Sequence, residues 1–313
     1  MPLYRKLITT LAFATTLLAS DTFADNSITV NQINSFGDNP GDLSASMYTP
    51  NAQASALVVL LHGCGQKAEL LAKQTGLLAA AKQEQFALLL PQQSNSNNMQ
   101  FCFNWFSSTD HKAGSGETAS LMNMIAYAKQ SSNTKTVYLV GLSAGGAMSS
   151  SMLAQYPETF SGVAIIAGVG YPCADSLVKA LSCMKNGSSY DIDKLVSPIT
   201  DLHNAKVDWP SIVIVTGTED TIVSPKNSQQ IFELWTNITE ASNSVALTNL
   251  PEQISGKRSK TKNERFIELI EIKGLGHGWP INLESIYSGE AAPFVVETSL
   301  SMTDYLMDLW QLR

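Results

Sequence analysis

Short apolar segments alternate along the chain with segments of helical composition, and this alternation constrains the fold more than any other feature. The apolar runs cover 56–63, 86–91, 136–140, 162–168, 210–220 and 266–274. The helical stretches cover 68–85, 117–130, 144–155, 224–235 and 292–310. Continuous apolar runs are typical of strands buried on both faces, and intervening helices would cover both faces of the sheet. The sequence therefore predicts an α/β fold with a mostly parallel central sheet.

The remaining stretches are more polar. We expect loop insertions at 92–116, 168–208 and 237–264, and an edge strand or hairpin within 25–50. The basic run "GKRSKTK" (256–262) is predicted to be a solvated loop. The sequence has no internal repeat and no linker-like composition, so residues 25–313 are expected to form a single domain.

The first 24 residues have the pattern of a secretory signal peptide. Arg5 and Lys6 precede an apolar run at 7–19, and small residues precede the predicted cleavage after Ala24. The run is too short to span a bilayer, which needs about 20 apolar residues. We therefore expect an exported protein, periplasmic or secreted, with no membrane span.

The net charge of −7 over 313 residues argues against a polyanionic partner, because nucleic-acid binding requires a basic patch. No nucleic-acid partner is therefore expected.

The chain has four cysteines, Cys64, Cys102, Cys173 and Cys183. Export favours disulfides over a metal site, and the absence of a CxxC pair also argues against metal. Four cysteines allow three connectivities. The ten-residue spacing of Cys173 and Cys183 favours a local bridge, which would leave Cys64 to pair with Cys102.

The segment "GLSAG" (141–145) follows an apolar run and precedes a helical one. A G-x-S-x-G motif between a strand and a helix is typical of a nucleophile elbow, in which a tight turn presents the serine at the end of the strand. Ser143 is therefore the predicted nucleophile.

A serine needs a base, and in this kind of elbow the base follows it in the chain, after an acidic residue. Of the histidines after Ser143, His277 comes directly after the last apolar run, whereas His203 lies in a polar stretch away from any strand end. His277 is the predicted base, and His203 is expected to be a surface residue.

The acid is expected at the end of the preceding strand. Glu219 and Asp220 both follow the run at 210–220, and Asp220 is preferred because it comes later in the turn. Asp208 is a more distant candidate. The acid would orient the imidazole ring and stabilise its charged form.

The tetrahedral intermediate of acyl transfer needs N–H donors for its oxyanion. One is expected from Ala144, the residue after the nucleophile, and the other from the loop "HGCGQ" (62–66), where we select Cys64. His62 in that loop is expected to make structural hydrogen bonds.

Aromatic residues lie in two places that could contact a substrate. The segment "FCFNWF" (101–106) is an aromatic cluster in a polar loop, and it could be a small satellite core or a substrate contact. Trp105 and Trp279 are the predicted substrate-binding residues, and the other tryptophans are expected to pack in the core.

The chain resembles the esterases of the poly(3-hydroxybutyrate) depolymerase family, which are related to feruloyl and acetylxylan esterases. The resemblance is carried by five segments: "LVVLLHGCGQ", "CFNWF", "VYLVGLSAGGAMSSSMLAQYPETFSGVAIIAG", "GTEDTIVSPKNSQQ" and "GLGHGWP". The resemblance covers 56–310. It implies an α/β-hydrolase fold and a serine esterase whose triad positions match Ser143, Asp220 and His277, with Cys64 at the oxyanion loop. No metal or cofactor is implied.

Two departures bear on the substrate. Phe103 replaces a tryptophan that the family's aromatic motif usually carries, and the chain shows neither the linker nor the polymer-binding domain common in extracellular depolymerases. Short hydroxyalkanoate oligomers are therefore expected ahead of crystalline polymer. The alternatives are a feruloyl- or acetylxylan-type carbohydrate esterase, and a catalytically inactive binding protein on the same scaffold.

Overall fold

The computed structural model describes residues 28–204, 206–287 and 289–313, and the predicted signal peptide at 1–24 lies outside these residues. Its strands are β1 Asn31–Gln32, β2 Ser44–Tyr48, β3 Leu57–Leu61, β4 Ala87–Gln92, β5 Val137–Leu142, β6 Gly162–Ile166, β7 Ser211–Gly217, β8 Val245–Ala246, β9 Ile254–Lys260, β10 Phe266–Ile272, β11 Trp279–Ile281 and β12 Val295–Glu297. Its α-helices are α1 Ala68–Gln74, α2 Leu77–Gln83, α3 Gly116–Ser132, α4 Ala144–Gln155, α5 Leu177–Asn186, α6 Ile192–Thr200, α7 Lys226–Ile238 and α8 Met302–Leu309.

Ten of the described strands build one sheet in the order β1-β2-β4-β3-β5-β6-β7-β10-β9-β8, and β11 and β12 form a separate pair. The six central strands, from β4 to β10, run parallel to one another and correspond to the six apolar runs of the sequence. Antiparallel strands complete both edges. The prediction of a mostly parallel sheet is confirmed.

Two hydrophobic clusters cover the two faces of this sheet. Successive side chains of a strand point to opposite faces, so Val59 joins one cluster and Val58 the other. Helices α3, α4, α5, α6 and α7 pack on the Val59 face, and α1, α2 and α8 pack on the Val58 face. The central strands are thus buried on both sides, and functional side chains can project only from their ends.

Two predicted helices differ from the observed ones. The stretch 68–85 is split into α1 and α2 at Gly76, which has φ +76°, and a side chain there would lie 2.8 Å from the carbonyl oxygen of Tyr287. In 292–310 only Met302–Leu309 is helical, because 295–297 instead pairs with β11.

Two stretches expected as loops contain regular structure. Helices α5 and α6 lie within 168–208. The basic run 256–262 is mostly strand β9 and is not a solvated loop. Arg258 in this strand forms an ion pair with the fully buried Glu268 of β10, which anchors the polar strand to the sheet.

The structure contains the disulfides Cys64–Cys102 and Cys173–Cys183, with Cα–Cα distances of 4.2 Å and 6.2 Å. In the part of the chain that the structure describes, no helix has both the length and the apolar character required to cross a bilayer.

Candidate active site

The turn between β5 and α4 presents Ser143 at the carboxyl end of the central sheet. Ser143 has φ 57° and ψ −118°, a backbone conformation that residues with side chains seldom adopt. Its N–H donates a hydrogen bond to the carbonyl of Ile166 at 2.9 Å, which ties the turn to the neighbouring strand β6. The residue is partly exposed while those on either side are buried. The turn therefore directs one hydroxyl group out of the core.

The glycines of the motif are required by close backbone contacts. A side chain at Gly141 would collide with the backbone of Gly145, and one at Gly145 would collide with the carbonyl of Leu61 at the end of β3. The small residues thus allow α4 to begin directly against the sheet and beside the loop that follows β3. This explains the local sequence pattern in physical terms.

Ser143, His277 and Asp220 form a continuous chain of hydrogen bonds. The Oγ of Ser143 lies 2.8 Å from Nε2 of His277, and Nδ1 of His277 lies 2.7 Å from Oδ2 of Asp220. The other carboxyl oxygen of Asp220 accepts N–H bonds from Ile222 and Val223, both at 2.9 Å. The Asp220 side chain is fully buried, and only 6% of the His277 side chain is exposed. The three side chains have the geometry required for a base to activate a hydroxyl group.

The structure does not bring the alternative residues to Ser143. Glu219 is exposed, and Asp208 accepts a hydrogen bond from the side chain of Asn263 at 2.8 Å. His203 is partly exposed, and its Nε2–H donates to the carbonyl of Ala154 at 2.8 Å.

The backbone N–H groups of Ala144 and Cys64, beside Ser143, have no hydrogen-bond acceptor among the described residues. Ala144 is the first residue of α4, where N–H groups have no intrahelical partner. The Cys64 loop is close to Ser143, because a methyl group at Gly63 would lie 3.3 Å from Cβ of Ser143. These are the two amides that the sequence predicts for the oxyanion hole.

His62 is fully buried, and this burial lowers its pKa to about 4. Its Nδ1–H donates to the carbonyl of Gly63 at 2.7 Å, and its Nε2 accepts from the N–H of Gln93 at 3.1 Å. Both nitrogens of the neutral imidazole are therefore hydrogen-bonded to neighbouring backbone groups. His62 makes structural hydrogen bonds, as the sequence predicts.

The structure contradicts one of the two predicted aromatic substrate contacts and leaves the other untested. Trp279 is fully buried in the hydrophobic cluster of the Val58 face, so the prediction that it contacts substrate is wrong for this structure. Its position in strand β11 directs the ring into the core. Trp105 is 7% exposed and Phe103 is fully buried, so the cluster at 101–106 is mainly a part of the core on the Val59 face. A substrate contact by Trp105 stays a prediction.

Phe294 is an aromatic neighbour of His277 that the sequence does not reveal. Its ring packs edge-on against the imidazole with centroids 5.7 Å apart, and the residue is 40% exposed. Its carbonyl accepts the N–H of Trp279 at 2.8 Å, next to the β11–β12 pair. Residue 294 lies in a stretch expected to be helical, so no sequence pattern connects it with His277.

Comparisons with known proteins agree with this architecture. Residues 43–244 match the model of the family described as Esterase PHB depolymerase. The chain is 32% identical over 287 residues to a poly(3-hydroxyalkanoate) depolymerase C of Paucimonas lemoignei, covering 88% of this chain and 68% of that protein. It is 27% identical over 271 residues to a feruloyl esterase B of Talaromyces stipitatus, covering 82% and 74% of the two chains.

The fold is shared with a solved acetyl xylan esterase from Aspergillus awamori. The TM-score is 0.72 at 19% identity, and the match covers 91% of this chain and 100% of the esterase chain. The predicted α/β-hydrolase fold is thereby confirmed, and the proteins similar in sequence are carboxylic ester hydrolases. The chain therefore belongs to the Esterase PHB depolymerase family.

Proposed function

We propose that the chain is an exported serine esterase that hydrolyses ester bonds of 3-hydroxybutyrate-type oligomers or polymers through Ser143, His277 and Asp220. The observation that carries this proposal is the hydrogen-bonded chain from the Ser143 hydroxyl through His277 to Asp220, at distances of 2.8 Å and 2.7 Å. A serine, an imidazole and a buried carboxylate in this order are the groups that acyl transfer requires.

In the first half of the reaction, Nε2 of His277 takes the proton of Ser143 while Oγ attacks the ester carbonyl carbon. The negative charge that develops on the carbonyl oxygen is stabilised by the N–H groups of Ala144 and Cys64. The side chain of Asp220, hydrogen-bonded to Nδ1, stabilises the imidazolium. The ester C–O bond then breaks, His277 gives its proton to the departing alkoxide, and an alcohol leaves the acyl-enzyme.

In the second half, a water molecule takes the place of the alcohol. His277 removes one proton from it, and the oxygen attacks the acyl carbon of the acyl-enzyme. When the tetrahedral intermediate collapses, the proton returns to Ser143 and the acid product leaves. The same two amides serve both halves, so their placement affects both acylation and deacylation.

The substrate class is supported by sequence similarity. The 32% identity to a poly(3-hydroxyalkanoate) depolymerase favours hydroxyalkanoate esters. The 27% identity to a feruloyl esterase favours a second candidate, an aromatic or acetyl ester of a plant polysaccharide. The two disulfides, together with the predicted signal peptide, support an oxidising location outside the cytoplasm.

A substrate panel separates the two candidates. The purified mature protein would be assayed with p-nitrophenyl butyrate, soluble 3-hydroxybutyrate oligomers and methyl ferulate. We expect hydrolysis of the first two, with the highest kcat/KM for the oligomers among the natural esters. Preference for methyl ferulate would instead assign the chain to the carbohydrate esterases.

A covalent label tests whether the scaffold is catalytic at all. A fluorophosphonate should add to wild-type protein in a 1:1 ratio and fail to add to Ser143→Ala. Ser151→Ala is a matched control, because Ser151 lies buried on the same helix and donates only to the carbonyl of Ala147. Absence of labelling in the wild type, or retained labelling in Ser143→Ala, would support an inactive binding protein or a different nucleophile.

A further inference from the structure

Glu117 is a fully buried carboxyl group that the proposed reaction does not use. It lies in the first turn of α3, where its carboxyl oxygens accept four N–H bonds. The donors are Gln93 Nε2 at 2.6 Å, Asn97 Nδ2 at 3.1 Å, and the backbone N and Nδ2 of Asn104, both at 2.8 Å. All of them belong to the segment 93–104, which follows strand β4. A single buried side chain thus holds both ends of this long polar segment.

The segment 93–104 in turn holds the Cys64 loop. Cys102 forms the disulfide with Cys64, and the carbonyl of Gln100 accepts the N–H of Gly65 at 2.7 Å. The carbonyl of Cys102 accepts from Nε2 of Gln93, the same group that donates to Glu117. The Cys64 amide is therefore separated from Glu117 by one disulfide and one pair of hydrogen bonds.

A second connection runs through His62. Its Nε2 accepts the backbone N–H of Gln93 at 3.1 Å, and its ring packs against Phe103 with centroids 5.0 Å apart. Phe103 lies between Cys102 and Asn104, so three consecutive residues support the Cys64 loop or bind Glu117. This accounts for the motif at 101–106, which the proposed reaction leaves largely without a role.

The Cys64 loop has few other supports. Within residues 63–66 the N–H of Gln66 donates to the carbonyl of Gly63 at 3.3 Å, and the Gln66 side chain accepts the N–H of Gly63 at 2.8 Å. These bonds fix the shape of the turn. Its position relative to Ser143 depends on its continuity with β3, on a bond from Nε2 of Gln92 to the carbonyl of Gln66 at 3.4 Å, and on the contacts with the segment 93–104. An oxyanion donor must be placed to within a fraction of an ångström to act.

We propose that Glu117 is a positioning residue for the oxyanion hole, acting through the segment 93–104 to hold the Cys64 N–H against the reacting carbonyl oxygen. This inference rests on the proposed esterase function. Glu117 does not contact the substrate. Its role is to satisfy four donors at once, which fixes the residues that bear on the Cys64 loop.

The test compares Glu117→Ala with Glu117→Gln. Alanine removes all four acceptor contacts, whereas glutamine keeps one carboxamide oxygen for the side-chain donors and loses the acceptor facing the Asn104 backbone. Each variant would be titrated to completion with a fluorophosphonate, so that kcat is expressed per active site. This normalisation removes any loss that comes only from unfolded protein.

The informative second readout is the Ki of an alkyl trifluoromethyl ketone, whose hemiketal oxygen occupies the oxyanion position. We expect kcat per site to fall by about 10- to 100-fold in Glu117→Ala, with Ki rising in parallel and KM for p-nitrophenyl butyrate little changed. Glu117→Gln should lie between the wild type and Glu117→Ala in both quantities, and it serves alone if the alanine variant does not fold.

Glu268→Gln is the matched control, because Glu268 is also fully buried but bonds to Arg258 and Tyr305, away from the Cys64 loop. Its kcat per site and Ki should equal those of the wild type. Wild-type kcat and Ki in the Glu117 variants would overturn the proposal while leaving the esterase function intact. An inactive wild type would instead refute the esterase function on which it rests.

Discussion

Both carboxyl oxygens of Asp220 accept hydrogen bonds, and these bonds fix the orientation of the side chain. Oδ1 is held by the two backbone N–H groups of Ile222 and Val223, so Oδ2 is left to face His277. The carboxylate cannot turn away without losing two hydrogen bonds in a buried site. In the proposed reaction, this arrangement fixes the tautomer of the imidazole with the proton on Nδ1.

Asp220→Asn tests this role. The amide oxygen should take the two backbone N–H bonds, which places the NH₂ group against Nδ1 of His277 and forces the proton onto Nε2. We expect kcat to fall by about 10⁴-fold with little change in stability. Glu219→Gln changes the adjacent but exposed carboxyl and should keep wild-type kcat in the same p-nitrophenyl butyrate assay. Equal activity of Asp220→Asn and wild type would contradict the assignment.

Residues at strand ends could be predicted from the sequence, and residues that meet through packing could not. Ser143, Asp220 and His277 each follow an apolar run, and the carboxyl ends of parallel strands share one edge of the sheet. Trp279 is only two residues from His277, but the intervening chain enters β11 and turns the ring into the core. Glu117 also has no sequence signal, because an acidic residue in a first helical turn is ordinarily solvated.

At the scale of elements, the pair β11–β12 builds one wall beside His277. Trp279 pairs with Val295, and the backbone of Phe294 packs on Gly278, where a side chain would lie 2.9 Å from the Phe294 carbonyl oxygen. The pairing brings a segment from near the end of the chain against the histidine loop. It also leaves the Phe294 ring partly exposed beside the imidazole.

Phe294→Ala should reduce the apolar surface beside the imidazole. We expect KM for 3-hydroxybutyrate oligomers to rise by about 10-fold, because burying an aromatic ring against substrate contributes on the order of 1–2 kcal/mol. Hydrolysis of p-nitrophenyl acetate, which is too short to extend along this wall, should change less. Leu283→Ala removes a 47% exposed side chain beyond the other end of β11 and is the matched control. Equal KM values for the two variants would rule out a substrate contact by Phe294.

The errors at this scale have a common cause. Composition alone predicts helix for 68–85 and 292–310, but a single close contact at Gly76 and the strand partner of 295–297 decide otherwise. In the same way, β9 is too polar to be recognised as a strand until its ion pair with β10 is seen. Contacts between segments distant in sequence override local preference in each case.

At the scale of the whole molecule, two buried groups link stability to pH in opposite directions. The pKa of Glu117 is raised from 4.5 to about 8. Burial is the main cause and nearby Asp110 adds to it, whereas the hydrogen-bond donors Asn104 and Gln93 oppose the shift. Burial lowers the pKa of His62 to about 4. As pH rises from 4.5 to 8, Glu117 ionises first in the unfolded state, so its contribution to stability falls. His62 contributes the opposite trend between pH 4 and 6.5.

Above pH 6.5, of these two groups only Glu117 should still make the stability of the protein depend on pH. We expect Glu117→Gln to abolish a wild-type loss of about 2 kcal/mol in the free energy of unfolding between pH 6.5 and 8. Urea unfolding of both proteins at a series of pH values measures the difference. Parallel curves for the two proteins across this range would show that Glu117 is ionised in the folded state.

The general architecture was accessible from the sequence because strands buried on both faces must be apolar throughout. The six central strands could be predicted for this reason, within a few residues at their ends. The edge strands β1 and β8 have two residues each, and β9 beside β8 is mostly polar, so the same signal is weak there.

Strand β5, which leads into Ser143, has four strands on one side and five on the other in the order of the described sheet. Fraying begins at the margins of a sheet, so local openings there do not reach the amides of β5. We therefore expect the turn at Ser143 to open only when the domain unfolds as a whole. Heat inactivation should accordingly coincide with global melting, with no earlier stage in which a folded molecule has lost its reactive centre.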